Sequence, residues 1–186
     1  MELKNTTQAM QKLGSNVIKE GRRVLKRKKK TTSQNTLYKD FDYLVRKTPK
    51  GLELEFEFGG AEDYWAFVDE GVRGAGGFKG SGKMRGGNTK FRFGSGKFKG
   101  TWGKFRTAID RWVVSKGLKA TRDKSGRFVG RKSLVFLIQR AIYQKGLQRT
   151  QFFSKPFTEQ LNKQTDAILD AFGNDLEKQL ELVIGN

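Results

Sequence analysis

The sequence predicts an α+β fold, and three observations carry that expectation. Residues 52–58 alternate strictly between apolar and acidic side chains, the period of a half-buried strand. Residues 156–183 place a side chain that is apolar, Thr165 excepted, at every third or fourth position, the period of a helix with one buried face. A second helical pattern over residues 5–28 supplies another apolar face, and apolar faces need covers. The chain has 186 residues, the scale of one domain. Its 15 Phe and 3 Trp speak against a chain without a core.

In order, the first helix carries Met10, Leu13, Val17, Ile18, Val24 and Leu25, with Gly21 loosening the pattern. It ends in residues 22–30, which hold seven basic side chains and no acid. Cations suit the partial negative charge of a helix C-terminus. A β-hairpin follows, with strands at 41–47 and 52–58. Thr48-Pro49-Lys50-Gly51 makes its turn, Pro presetting φ and Gly accepting a positive one. Leu52, Leu54, Phe56 and Phe58 form the inner face, expected to pack on the last helix. Glu53, Glu55 and Glu57 form the outer face. Acids alternating in this way are usual on a solvated or interface-facing strand and do not call for a metal.

A short amphipathic segment, 61–71, leads into the most unusual stretch. Residues 71–103 carry 12 of the 23 glycines, interleaved with aromatic and basic side chains and lacking any sustained period. They read as a flexible loop or glycine-rich β-arm inserted in a single α+β domain spanning 1–186. Two more helices are expected. Residues 103–116 present Phe105, Ile109, Trp112 and Val113, and residues 133–145 turn Leu134, Leu137, Ile138, Ala141 and Ile142 inward. A polar basic connector separates them. The closing helix opens at Pro156, whose missing N–H costs nothing in a first turn. Its stripe is Phe157, Leu161, Thr165, Ile168, Phe172, Leu176, Leu180 and Val183.

The chain contains no Cys and no His. That removes Cys- or His-based zinc sites, haem and iron–sulfur ligation, thiol catalysis and the Ser–His and Cys–His triads. The expectation is a protein that is not an enzyme, with no catalytic residues, no bound metal and no cofactor. The longest apolar run, residues 134–138, is far short of the ~20 residues that span a bilayer. The N-terminus lacks a signal-peptide core. The chain is expected to be soluble, made inside a cell and without a membrane partner, and the glycosylation triplet Asn5-Thr6-Thr7 is a chance match. Residues 77–84 imitate a phosphate-binding P-loop but end in Met84, where Ser or Thr would ligate magnesium.

The formal charge is +19. Residues 71–109 hold ten basic side chains and no acid, whereas the chain outside this stretch and residues 22–30 is nearly neutral. Such concentration suits a polyanion or an acidic protein surface. Lys79, Lys83, Arg85, Lys90, Arg92, Lys97 and Lys99 are candidates to neutralise phosphates or meet acids of a neighbour. Phe91 and Phe93 are candidates to stack on bases or enter a partner's pockets.

Two segments together resemble a known family. Tyr64-Trp65-Ala66-Phe67-Val68-Asp69-Glu70-Gly71 resembles the Tyr-Ala-x-Tyr/Phe-Val-Glu-x-Gly-Thr signature of the tail-completion, or head–tail joining, proteins of tailed double-stranded-DNA phages. Phe152-Phe153-Ser154-Lys155-Pro156-Phe157 resembles that family's Arg-Pro-Phe-Leu-Arg-Pro-Ala entry to its last helix. The order of elements is similar too. Val72 stands where the family often has Thr, and about 80 residues separate the two motifs. The resemblance implies a structural virion protein of the neck or tail, made in the host cytoplasm. It implies a ring of six or twelve copies that joins portal to tail, contacts adjacent portal, neck or tail rings, and lets genomic double-stranded DNA pass during ejection. Tyr64, Phe67, Glu70 and Gly71, with the Glu53/Glu55/Glu57 face, would then lie at the subunit interface. The arm would face either DNA or a neighbouring subunit. The alternative is a basic nucleic-acid-binding protein of ribosomal type, against which six acids in the closing helix argue. A carboxylate-dependent nuclease is a third reading.

Overall fold

The computed structural model describes residues 3–28, 36–49, 51–62, 64–76, 89–94, 102–118, 122 and 125–184, the side chains at 36, 102, 104 and 183 excepted. Among these, the elements in chain order are α1 (Lys4–Arg27), α2 (Thr36–Lys39), β1 (Asp42–Thr48), β2 (Gly51–Glu57), a 3-10 turn (Gly59–Ala61), α3 (Trp65–Glu70), β3 (Val72–Arg73), α4 (Trp102–Ser115), α5 (Arg131–Lys145), β4 (Gly146–Leu147) and α6 (Ser154–Ile184). The fold is mixed α+β, as expected. Contacts divide the chain into two compact units, Met1–Asp69 with Thr150–Asn186, and Glu70–Arg149. The sequence reading kept one domain and set apart only residues 71–103. The contacts instead gather the arm's described residues, α4 and α5 into one unit.

In the first unit β1 and β2 form an antiparallel hairpin, with Val45 opposite Leu54 and Tyr43 opposite Phe56. The alternation of β2 is realised: Leu52, Leu54 and Phe56 are half-buried and the three Glu exposed. α1 lies against both strands and against α6. It buries Leu13, Val17, Ile18 and Leu25, the stripe its sequence spacing predicts. Gly21 is part of that stripe rather than a break in it. A Cβ there would sit 2.6 Å from the Phe41 ring and 2.8 Å from the Phe152 carbonyl oxygen, so the glycine lets α1 approach the core closely.

Aromatic side chains fill this core. Phe41 stacks on Phe58 with centroids 5.2 Å apart, and Phe152 meets Phe41 edge-on at 5.5 Å. Trp65 stacks on the other side of Phe58 at 4.3 Å, and Phe153 meets Phe56 at 5.1 Å. Fully burying one such ring stabilises the fold by about 1.5–3 kcal/mol, with about 0.5–1.5 kcal/mol more for a well-oriented pair. Here one expectation is corrected. The hairpin's inner face packs on α1 and on the first turn of α6, where Phe157 meets Phe56 at 5.8 Å, and not on the whole α6 stripe. Phe157 and Ile168 join the core, whereas Leu161, Phe172 and Leu180 are exposed. A 31-residue helix is longer than the hairpin it would cover, and α1 already occupies the space beside it.

The second unit is built on the α4–α5 pair. Ile109, Val113 and Val135 form its centre, with Phe105, Leu134, Ile138 and Ile142 around them. Two expectations shift by part of a turn. Trp112 is exposed, and α5 buries Val135 and Gln139 while Leu137 and Ala141 face out. Residues 134–138 are apolar without a gap, so periodicity alone does not choose the buried face. β3 pairs antiparallel with β4, Val72 opposite Leu147 and Arg73 opposite Gly146.

Candidate interaction surfaces

The two segments that carry the family resemblance come together in the first unit. The last turn of α3 meets the strand of chain that opens α6, 84 residues later. The Asp69 carboxylate, 2% exposed, accepts the backbone N–H groups of Phe153 at 2.8 Å and Ser154 at 3.3 Å. It thereby supplies partners to the orphan donors at the start of α6. The Thr150 hydroxyl donates to the Val68 carbonyl at 2.7 Å, and the Gln151 N–H donates to the Asp69 carbonyl at 3.0 Å. Val68 and Trp65 pack into the same core as Phe153. The chemistry is that of a clasp, with every group engaged in holding two segments together.

The other end of α6 works the same way on α1. α1 receives no side-chain cap from its own N-cap residue, Leu3. Asp175, 3% exposed, accepts the N–H of Asn5 at 3.1 Å, the N–H of Thr6 at 2.8 Å and the Thr6 hydroxyl at 2.7 Å. Burial pushes this carboxyl up, but the hydrogen bonds from Thr6 and Asn5 outweigh it and hold the group below the usual Asp value. Asp69 stands inside the quoted signature with no role assigned to it, and nothing in the sequence singles out Asp175. Their partners lie 84 and more residues away, and no local spacing marks them.

The expected interface residues divide. Glu53, Glu55 and Glu57 stand together on the outer hairpin face beside Asp42, with Arg46 pairing to Glu55 at 3.2 Å and to Glu57 at 3.7 Å. Exposed pairs of this kind stabilise little, so the face remains an acidic surface. Tyr64 is at the edge of exposure and Phe67 half-buried. Glu70 is turned to its own unit, accepting the Thr89 hydroxyl at 3.2 Å and pairing with Lys90 at 3.7 Å. Gly71 has φ +77°, where a Cβ would meet the Arg149 nitrogen and the Leu147 oxygen at 2.7 Å. Its role is the turn from α3 into β3, at a point where backbones nearly touch.

The arm candidates divide too. Lys79, Lys83, Arg85, Lys97 and Lys99 lie outside the described residues, as does the P-loop-like run. The expectation that Phe91 reaches a partner is corrected: it is 7% exposed, and its carbonyl accepts the Arg73 N–H at 2.8 Å. Phe93 packs between Phe105 and Tyr143, with centroids 5.9 and 5.8 Å away, so it too serves its own unit. Backbone pairing of Arg73 with residues 91–93 draws both rings in. Lys90 and Arg92 stay exposed, Lys90 over the Phe91 ring at 5.1 Å and Arg92 donating to the Ala75 carbonyl at 3.3 Å.

Charge separates by unit. Glu70–Arg149 holds 21 of the 38 Lys and Arg and 3 of the 19 acids, a net of +18, which leaves +1 for the rest of the chain. Among the described residues no three Asp or Glu gather to hold a cation, and no helix is long and apolar enough to cross a membrane. Comparisons with protein-family models, with curated proteins and with solved structures find no match to this chain.

Proposed function

We propose that this chain is a structural protein of a phage neck or tail, forming a ring of six or twelve copies that joins the head to the tail and lets DNA pass. One observation carries the reading. The segments resembling the head–tail joining signature and the last-helix entry, far apart in sequence, form one clasp through Asp69, Phe153 and Ser154. Two weak sequence likenesses that are also structural partners support each other more than two unrelated ones would. The acidic hairpin face and the basic second unit supply opposite charges for contacts between subunits or with portal, neck and tail rings. The site performs no catalysis in this reading.

Sedimentation and electron microscopy of the purified protein test it. The expected result is closed rings with a central passage, and antibody against the chain marking the neck or tail of particles. A second reading, a nucleic-acid binder, is favoured by the +18 unit. Particles without the protein, together with a monomer whose DNA affinity falls steeply with salt, overturn the ring and establish the second reading.

A further inference from the structure

Among the described residues two apolar surfaces are left uncovered, one in each unit, and their charges are opposite. The first is the C-terminal half of α6. Leu169 is 61% exposed, Leu180 59% and Ile184 80%, and with Leu176 they follow one another at helical spacing. Gly173 stands in that row with nothing within 4 Å of where a Cβ would be, leaving a notch in the stripe. Leu176, Leu180 and Ile184 line an open groove there with Glu177 and Glu181. Residues 164–184 hold five acids and one base. The second surface is the groove where the start of α5 meets α4. Phe128, Phe136 and Leu137 are 74%, 45% and 51% exposed, and Arg106 and Lys132 border them. Residues 102–145 hold 12 bases and two acids.

We infer that these two faces are partners: the α6 face of one copy docks on the α4–α5 groove of the next copy. Each surface exposes more large apolar side chains in one place than a free surface usually carries, and each is rimmed by charge of the sign the other lacks. The Gly173 notch receives one of the aromatic side chains of the groove. Because the two faces differ, the contact is heterologous: each copy offers one of each and the chain of contacts closes into a ring or continues as a filament. This deepens the ring reading above by naming its contact, yet it stands on surfaces that owe nothing to the family resemblance.

Two exposed substitutions test it by sedimentation velocity, with circular dichroism to verify folding. Leu180→Asp spoils the α6 face and Leu137→Asp spoils the groove. Each alone is expected to weaken self-association tenfold or more. An equal mixture of the two is expected to give one-to-one dimers and nothing larger, because only one intact contact remains per pair. Glu181→Lys and Lys132→Glu extend the test: each alone weakens assembly and both together in one chain restore it. The inference is overturned if either Asp variant assembles like the natural chain, if the mixture stays monomeric, or if the natural chain is itself a monomer. Rings that survive both Asp variants leave the ring reading standing without this contact. Filaments or open oligomers that both variants abolish uphold the contact and sink the ring.

Discussion

The two units use their residues in opposite ways. Met1–Asp69 with Thr150–Asn186 is nearly neutral, has an aromatic core of Phe41, Phe58 and Phe152, and has each long helix capped by a buried aspartate. Glu70–Arg149 carries +18 on a core centred on three side chains and leaves Trp112, Phe136 and Leu137 in the open. The first unit spends its buried acids and aromatic rings on itself, and leaves apolar surface open along the far half of α6. The second leaves charge and apolar surface unsatisfied, which is the mark of a region completed by something else. The buried aromatic core thus belongs to the first unit and the charge to the second, while each keeps an open apolar surface.

The largest expected effect lies in the first unit. Phe152→Ala removes a wholly buried ring that touches Phe41 and Phe58, and is expected to cost about 3–5 kcal/mol in denaturant unfolding. A loss under 1 kcal/mol would erase the contrast between a packed and an open unit. Gly71→Val comes next. Strain at φ +77° costs on the order of 1–3 kcal/mol, with the clash against Arg149 and Leu147 added. Hydrogen exchange should show faster exchange at Arg73 and Phe93 in the second unit, with α1 amides unchanged. Uniform loss in both units would mean that they do not unfold separately.

Smaller effects sharpen the same comparison. Asp175→Asn is expected to lower Tm at neutral pH, because the neutral side chain serves the α1 donors less well. The native carboxyl is held below its unfolded value, so its contribution is present above about pH 4 and is lost as pH falls through the lowered value. Melting curves of the two proteins should therefore converge in acid; a constant gap would place the effect in packing instead. The smallest change is expected from Arg131→Ala. Arg131 makes a two-pronged pair with Asp110 between α5 and α4, and that hydrogen bonding chiefly draws the Asp110 carboxyl below its usual range. The pair is exposed, so its loss should barely move Tm and should vanish in high salt.

Local pattern was enough for most elements. The strict alternation at 52–58 gave β2 within one residue, and the 3–4 spacing gave α1 and α6 within two, because a strand or an amphipathic helix writes its period into neighbouring residues. The faces of α5 and the far half of α6 were not legible in this way. Residues 134–138 are apolar all round, and Leu161, Phe172 and Leu180 look like core from spacing alone. Which side is buried depends on what arrives to cover it, and that is set by partners distant in sequence. The same holds for Asp69 and Asp175. As residues in a list they are two acids among 19; they become caps only when α3 meets the start of α6 and α6 returns along α1. Phe91 and Phe93 looked free among glycines and lysines, and it is pairing of their backbone with Arg73 that turns them inward. Period and composition are properties of the nearby chain. Burial, capping and the choice between core and surface are long-range, because each requires a second segment to take water's place.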